Sequence, residues 1–291
     1  MMRIEGSDKT MKKVAIVTGA SSGFGLLTSL ELAKSGFHVI ATMRNLQKQQ
    51  ELLSQATKLR ISEHIQIEQL DVTDEASLRT FQSFLTKLDR VDVLVNNAGY
   101  ASGGCSEEVL IEEYRRQFET NVFGAIAVTQ LVLPSMRKQN AGKIINISSI
   151  SGKVGFPGLS PYVSSKHALE GWSESLRLEV KPFGIDVVLV EPGSYDTNIW
   201  ETGQELIAGN DYTQSPYKTH IEKIQSHIND GKDQLGNPNE IAKRIVSIAT
   251  AKKTTLRYPI GKGVKFAIMM KSILPWTWWE YVVLKQFKKK R

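Results

Sequence analysis

Cysteine is almost missing from this chain of 291 residues, where Cys105 stands alone. No intrachain disulfide and no cysteine-built zinc cluster can form, and a reducing, cytoplasmic setting fits. Long apolar runs are missing as well. The first, Val14–Val17, stops after four residues at Thr18 and Gly19, whereas a secretory signal needs about 7–15. From Ser272 to Leu284 an apolar stretch of 13 residues is broken by Pro275 and Glu280, against the roughly 20 that span a bilayer. Polytopic membrane proteins and collagen-like repeats are excluded, and no internal repeat, low-complexity block or linker divides the chain. With 41% hydrophobic residues and nearly balanced charge, the sequence describes one folded domain with a large core. No metal site is expected.

Acid is scarce in one place only. The 37 basic and 30 acidic residues sum to +7, yet residues 252–291 hold 11 bases and the single acid Glu280. That segment carries +10 and leaves −3 on the rest. Nucleic-acid binding would call for a basic groove with interleaved aromatics, which charge gathered at one end does not supply. No nucleic-acid partner is expected.

What is present is a regular alternation. Val14–Val17, Val39–Ala41, Ile65–Leu70, Val91–Val95, Ile144–Ile147 and Val187–Val190 read as strands, nearly continuously apolar like parallel strands covered on both faces. Between them, Leu26–Lys34, Ser77–Leu88, Leu110–Met136 and Val163–Val180 have helical spacing. Parallel strands need crossovers, so the chain is expected to form an α/β fold, a single doubly wound parallel sheet with helices on both faces. The expected organisation is a flexible N-terminus at 1–12, a catalytic domain at 13–261 with a substrate loop at 194–235, and a basic, Trp-rich tail at 262–291.

After the first strand stands Thr18-Gly19-Ala20-Ser21-Ser22-Gly23-Phe24-Gly25, followed by a helix. Glycines there allow a tight turn and close backbone approach, and the helix N-terminus offers N–H groups to a pyrophosphate. Asn96-Asn97-Ala98-Gly99 follows the fourth strand. Ser149 follows the fifth, and Tyr162-x-x-x-Lys166 begins 13 residues later on a helix. Tyr162 and Lys166, four apart, share a helix face. Ser160 is read as the N-cap and Pro161 as the first helical residue, which puts Tyr162 near the positive end of the helix dipole. A lysine cation beside a tyrosine favours the phenolate and is expected to lower its pKa from about 10.

These motifs, in this order over Lys13 to Gly193, resemble the short-chain dehydrogenase/reductases. The resemblance implies a Rossmann-type oxidoreductase that moves hydride between a nicotinamide and a hydrophobic ketone or aldehyde and its alcohol. It implies Tyr162 as acid/base, Lys166 as the group that tunes it and holds the ribose, and Ser149 orienting the substrate oxygen. Asn121, which shares an apolar helix face with Tyr114, Phe118 and Ala125, is implied to fix a water that relays protons to Lys166. Gly19, Ser21, Ser22, Gly23, Phe24 and Gly25 would hold the dinucleotide with Asn97, Ala98 and Gly99. Asp71 and Val72 resemble the adenine contact, and Pro192, Gly193 and Thr197 the nicotinamide-side loop.

The second strand bears on cofactor choice. NAD(H) enzymes usually end it with an acid for the ribose. Here Thr42 takes that position, no acid occurs between His38 and Gln50, and Arg44 follows two residues on. A guanidinium pairs with a 2′-phosphate, so NADP(H) is expected over NAD(H). The substrate loop contains Tyr195, Trp200, Leu206, Ile207, Tyr212 and Tyr217, an apolar, aromatic lining that fits a hydrophobic carbonyl or alcohol. The general look resembles the steroid- and retinol-type members.

The tail, with Trp276, Trp278, Trp279 and Tyr281 ahead of Lys285 and a terminal basic cluster, admits three readings. It packs over the substrate entrance or another subunit, it makes weak contact with an anionic membrane surface, or it is a solvated end. A homodimer or homotetramer is implied by the family. A dinucleotide sensor without turnover is the rival class; such proteins often lose the tyrosine or lysine, and both are present here.

Overall fold

A computed structural model of the chain describes residues 12–197, 199, 215–219, 222 and 235–286. The elements run β1 (Val14–Val17), α1 (Gly23–Lys34), β2 (His38–Met43), α2 (Gln50–Lys58), β3 (Ile65–Gln69), α3 (Glu75–Leu85) and β4 (Val93–Asn96). They continue with α4 (Ile111–Phe118), α5 (Gly124–Lys138), β5 (Gly142–Ile147), α6 (Ser160–Val180) and β6 (Ile185–Pro192). The last are α7 (Asn239–Thr250), β7 (Arg257–Ile260), α8 (Val264–Ile273) and α9 (Trp276–Gln286).

Seven strands form one sheet in the order β3-β2-β1-β4-β5-β6-β7, every neighbouring pair parallel. The expected doubly wound α/β fold is therefore observed. Alternate residues of the apolar strands feed two cores. On one face Ala15, Val17, Val39, Val188 and Val190 pack with Leu30 of α1 and Ile241, Ile245 and Ile248 of α7. On the other, Ile16, Ile40, Leu94, Ile144 and Val187 meet Phe81 of α3, Val128 and Val132 of α5 and Leu176 of α6. The chain winds outward from β1 in one direction and from β4 in the other. A crevice opens where the two directions part, at the carboxyl ends of these strands.

Three elements depart from the sequence expectation. β7 was unforeseen because it is four residues long, half-exposed and contains Pro259; an edge strand tolerates proline because one side of it makes no ladder bonds. The helix expected over Leu110–Met136 is two helices joined by a π-turn at Glu119–Phe123, which inserts a residue and rotates Asn121 inward. The start of α6 also differs. The helix already includes Ser160, its cap position is Leu159 with no side-chain cap bond, and the Ser160 hydroxyl is engaged with Tyr114 Oη at 2.6 Å instead.

Candidate active site

The β1–α1 turn is shaped by contacts that a larger residue would destroy. Gly19 sits at φ +68°, and a Cβ on it would stand 2.9 Å from Ala98 Cα. A Cβ on Gly25 would collide with the Gly19 carbonyl oxygen and the Asn97 amide. Asn97 locks the turn to the β4 end: its Nδ2 donates to the carbonyls of Thr18 (2.9 Å) and Gly19 (3.1 Å). In return the N–H groups of Asn97 and Ala98 donate to Thr18 Oγ1, both at 3.0 Å. The α1 N-terminus carries no acid in its first turn, and Ser22 makes no side-chain cap bond there. Those N–H groups remain directed at whatever occupies the crevice.

A cavity of about 1370 Å³ runs from this turn across the sheet edge. Gly19, Ser21, Ser22, Gly23 and Phe24 border it on one side; Asn97, Ala98 and Gly99 form its floor. Asp71 and Val72, and Pro192, Gly193 and Thr197, close its flanks. Two of the expected residues serve it from behind: Gly25 and Asn121 do not line the cavity but pack beneath it.

At the β2 end the reading of Thr42 needs correction. Thr42 is fully buried, and its hydroxyl turns back to the Val17 carbonyl at 3.3 Å. The cavity wall is formed by Met43, Arg44, Asn45 and Lys48. Sequence reasoning missed Lys48, although its place one turn beyond Arg44, after a strand that ends without an acid, was the signal. A cradle of glycine backbone, an open helix N-terminus and two cations together fit a dinucleotide pyrophosphate with an added phosphate on the ribose.

At the middle of the cavity, Ser149, Tyr162 and Lys166 converge, all buried. Ser148, whose buried hydroxyl finds no partner among the described residues, lines the wall beside them. Lys166 Nζ donates to the Ile147 carbonyl at 2.8 Å and lies 5.6 Å from the centre of the Tyr162 ring. Asn121 Nδ2 donates to the Tyr100 carbonyl (3.0 Å) and to Ser165 Oγ (3.1 Å). Ser165 Oγ in turn donates to the carbonyl of Tyr162 at 2.8 Å. The amide thus braces the turn of α6 that presents the tyrosine.

The electrostatics reverse one expectation. Burial pushes the Tyr162 hydroxyl up to about 12, with a hydrogen bond from Ser149 working against the rise. Burial also pulls Lys166 down to about 8, opposed by the nearby Glu170 carboxylate. Burial is the largest influence on both groups.

The far end of the cavity is apolar. Val154, Phe156 and Leu159, from the segment between Ser149 and Tyr162, face Ile199 and the chain-terminal residues Ala267, Trp279, Val282 and Val283. The first three were findable, since any segment joining the serine to the tyrosine must border the reacting group. Tyr195 lines the cavity but is anchored from behind, its hydroxyl on Glu240 Oε2 at 2.9 Å and its ring edge-on to Phe24 at 5.7 Å. Tyr217 lies at the surface, with its hydroxyl on Glu107 Oε2 at 2.6 Å. Trp200, Leu206, Ile207 and Tyr212 lie outside the described residues, as does the terminal cluster at 287–291.

The short chain dehydrogenase family model matches residues 13–206. An uncharacterized oxidoreductase of Bacillus subtilis, YusZ, is 51% identical over 276 residues, covering 94% of this chain and 98% of its own. A 3-ketodihydrosphingosine reductase of Bacteroides thetaiotaomicron is 35% identical, covering 93% of this chain and 96% of its own. Among solved structures, a single-residue variant of actinorhodin polyketide ketoreductase with NADPH superposes with a TM-score of 0.73 at 28% identity, covering 87% of this chain and 97% of that one. The chain belongs to the short-chain dehydrogenase family and is an oxidoreductase of that class.

Proposed function

We propose that this short-chain dehydrogenase is an NADP(H)-dependent reductase of an apolar ketone or aldehyde. The observation that carries the reading is the buried Tyr162 beside Ser149 and Lys166, set in one cavity with a cationic dinucleotide cradle and apolar side chains. The glycine turn, Arg44 and Lys48 would hold NADPH, which when bound would supply hydride for the carbonyl carbon. Ser149 donates a hydrogen bond to the carbonyl oxygen and holds it beside the tyrosine. Tyr162 gives its phenolic proton to that oxygen as negative charge develops there, so the carbonyl becomes an alcohol and the tyrosine a phenolate. Lys166, fixed by the Ile147 carbonyl, stabilises the phenolate until solvent returns the proton, and it is placed to hold the cofactor ribose. Asn121 keeps the Tyr162 turn in register.

NADP(H) is preferred over NAD(H) because Arg44 and Lys48 supply two cations and no acid where the ribose would lie. The related polyketide ketoreductase, crystallised with NADPH, supports this. A reductase of 3-ketodihydrosphingosine among the relatives supports an apolar, long-chain ketone as substrate. Residues 13–261 act as the catalytic domain, with 194–235 and the tail helices as the substrate side. Ile111, Phe123 and Leu178 are exposed on α4 to α6, which supports assembly of a homodimer or homotetramer through that face.

NADPH and NADH oxidation by the purified chain over a panel of apolar ketones and aldehydes tests the reading. Turnover with NADPH at more than about tenfold the kcat/KM for NADH is expected. Tight NADPH binding with no carbonyl consumed would turn the assignment toward a sensor.

A further inference from the structure

Short helices at a chain end usually bury one face and wet the other, and α8 and α9 do not. On α8, Val264 is buried and Ala267 lines the cavity. The opposite side carries Phe266, Met269 and Ile273, three and four residues apart and therefore one stripe, exposed at 63%, 48% and 69%. On α9, Trp279 and Val283 line the cavity, while Trp278 and Tyr281 stand 67% and 60% exposed on the outside. Both helices are apolar on two faces. One face walls the substrate chamber and the other is open.

The charges around the open face are mostly basic. Lys271 Nζ sits over the Trp276 ring at 4.6 Å, and Lys285 Nζ lies 5.9 Å from the Tyr281 ring. Lys265 is exposed beside Phe266. Glu280 is the single acid in residues 252–291, against 11 bases. Tryptophan and tyrosine rings flanked by lysines are the residues that settle at the level of lipid headgroups, with stems and rings in the acyl boundary and ammonium groups outward. No helix among the described residues is long and apolar enough to cross a membrane, so the contact would be with one leaflet.

We infer that α8 and α9 form a docking surface for an anionic lipid leaflet, and that the substrate passes from that leaflet between these helices into the cavity. A second copy of the chain is a poorer occupant. A two-fold contact through this face would bring Lys265, Lys271 and Lys285 of two copies together, whereas anionic headgroups neutralise each set. The inference rests on the reading of an apolar carbonyl substrate, and it explains why the chamber wall is built from the helices that expose aromatic residues.

The test uses the full chain with floating vesicles of phosphatidylcholine alone and of phosphatidylcholine and phosphatidylglycerol in equal parts. Wild type is expected to float with the anionic vesicles. Phe266→Glu/Trp278→Glu, both on the open face, should lose about tenfold or more of that binding. The charge-only variant Lys265→Glu/Lys285→Glu should lose a similar share on anionic vesicles and none on neutral ones. With a ketone dissolved in the vesicles the Phe266/Trp278 variant should fall about tenfold in kcat/KM, while a water-soluble ketone is reduced within about twofold of wild type. Wild type that stays with the soluble fraction overturns the proposal, and so do variants that float as well as wild type. A wild-type oligomer that dissociates in the Phe266/Trp278 variant also overturns it, because the face would then be a subunit contact. Vesicle binding without turnover of either ketone would instead defeat the reductase reading and leave the docking surface standing.

Discussion

The two ends of the cavity are built from different material. The cofactor end is made of turns at the carboxyl ends of β1, β2 and β4, held by backbone and by Asn97, with glycines where the chain passes closest to itself. The substrate end is made of side chains from the last helices and from the segment between Ser149 and Tyr162. Interlocked backbone tolerates little change, whereas a wall of apolar side chains can be resized one residue at a time without disturbing the sheet. The shared chemistry is therefore anchored at one end, and the choice of substrate is left to the other.

The largest effect is expected at the junction, where the two ends meet. Tyr162→Phe removes the proton donor and leaves the cradle intact; turnover should fall by about 10³-fold in steady-state assays. NADPH binding, followed by its fluorescence, should persist. A fall in binding to match would mean that the tyrosine holds the cofactor rather than the substrate oxygen.

Next in size is the cationic rim. Arg44→Ala/Lys48→Ala should raise KM for NADPH by about 10–100-fold, the loss of one to two charge-assisted hydrogen bonds, while NADH kinetics move little. Equal losses with both cofactors would place these residues on the pyrophosphate. A pair of variants puts a number on the difference in rigidity between the ends. The methyl of Gly25→Ala would strike the Gly19 carbonyl and the Asn97 amide, at a cost of about 1–3 kcal/mol in stability. Val282→Ala at the substrate end, 42% exposed, should cost under about 1 kcal/mol. Chemical denaturation of the two variants measures the difference.

A pH-dependent effect lies behind the site. Arg257 Nε is 3.0 Å from Glu170 Oε2 and 3.2 Å from Glu191 Oε1. Burial and the neighbouring Glu170 carboxylate push Glu191 up to about 7. A carboxyl with a raised folded-state pKa binds its proton more tightly in the native protein. Stability should therefore decline as pH rises from about 4.5 to 7 and level off above, and Glu191→Gln should flatten that slope. Denaturation midpoints across pH 4.5 to 8 check it; an unchanged slope in the variant would assign the effect to other groups.

The cofactor end was the legible one. Its residues come in short contiguous motifs, because a turn that must meet a helix N-terminus at a fixed point allows few sequences. Five of the strands could be read from apolar runs for a similar reason, since a strand covered on both faces has little freedom in composition; β3 is a partly exposed edge strand. Thr42 was misplaced because a strand's inside and outside differ by one residue, and sequence alone did not fix which of Thr42 and Met43 faced the crevice. The upward push on Tyr162 was hidden because burial is a tertiary property: Lys166 is adjacent in the helix, but the depth at which both sit is not written there. The tail helices were hidden by being apolar on two faces, which erases the periodicity that marks a surface helix.

The proposed reductase depends on hydride passing from the nicotinamide to a carbonyl carbon in this cavity, with Tyr162 supplying the proton. Mass spectrometry of the alcohol formed from an apolar ketone and NADPH carrying deuterium at both C4 positions follows that hydride itself. One deuterium is expected at the carbinol carbon for each NADPH consumed, with label transfer abolished in Tyr162→Phe. Ketone recovered unchanged beside tightly bound, unconsumed NADPH is incompatible with a reductase and would leave the cavity as a binding site alone.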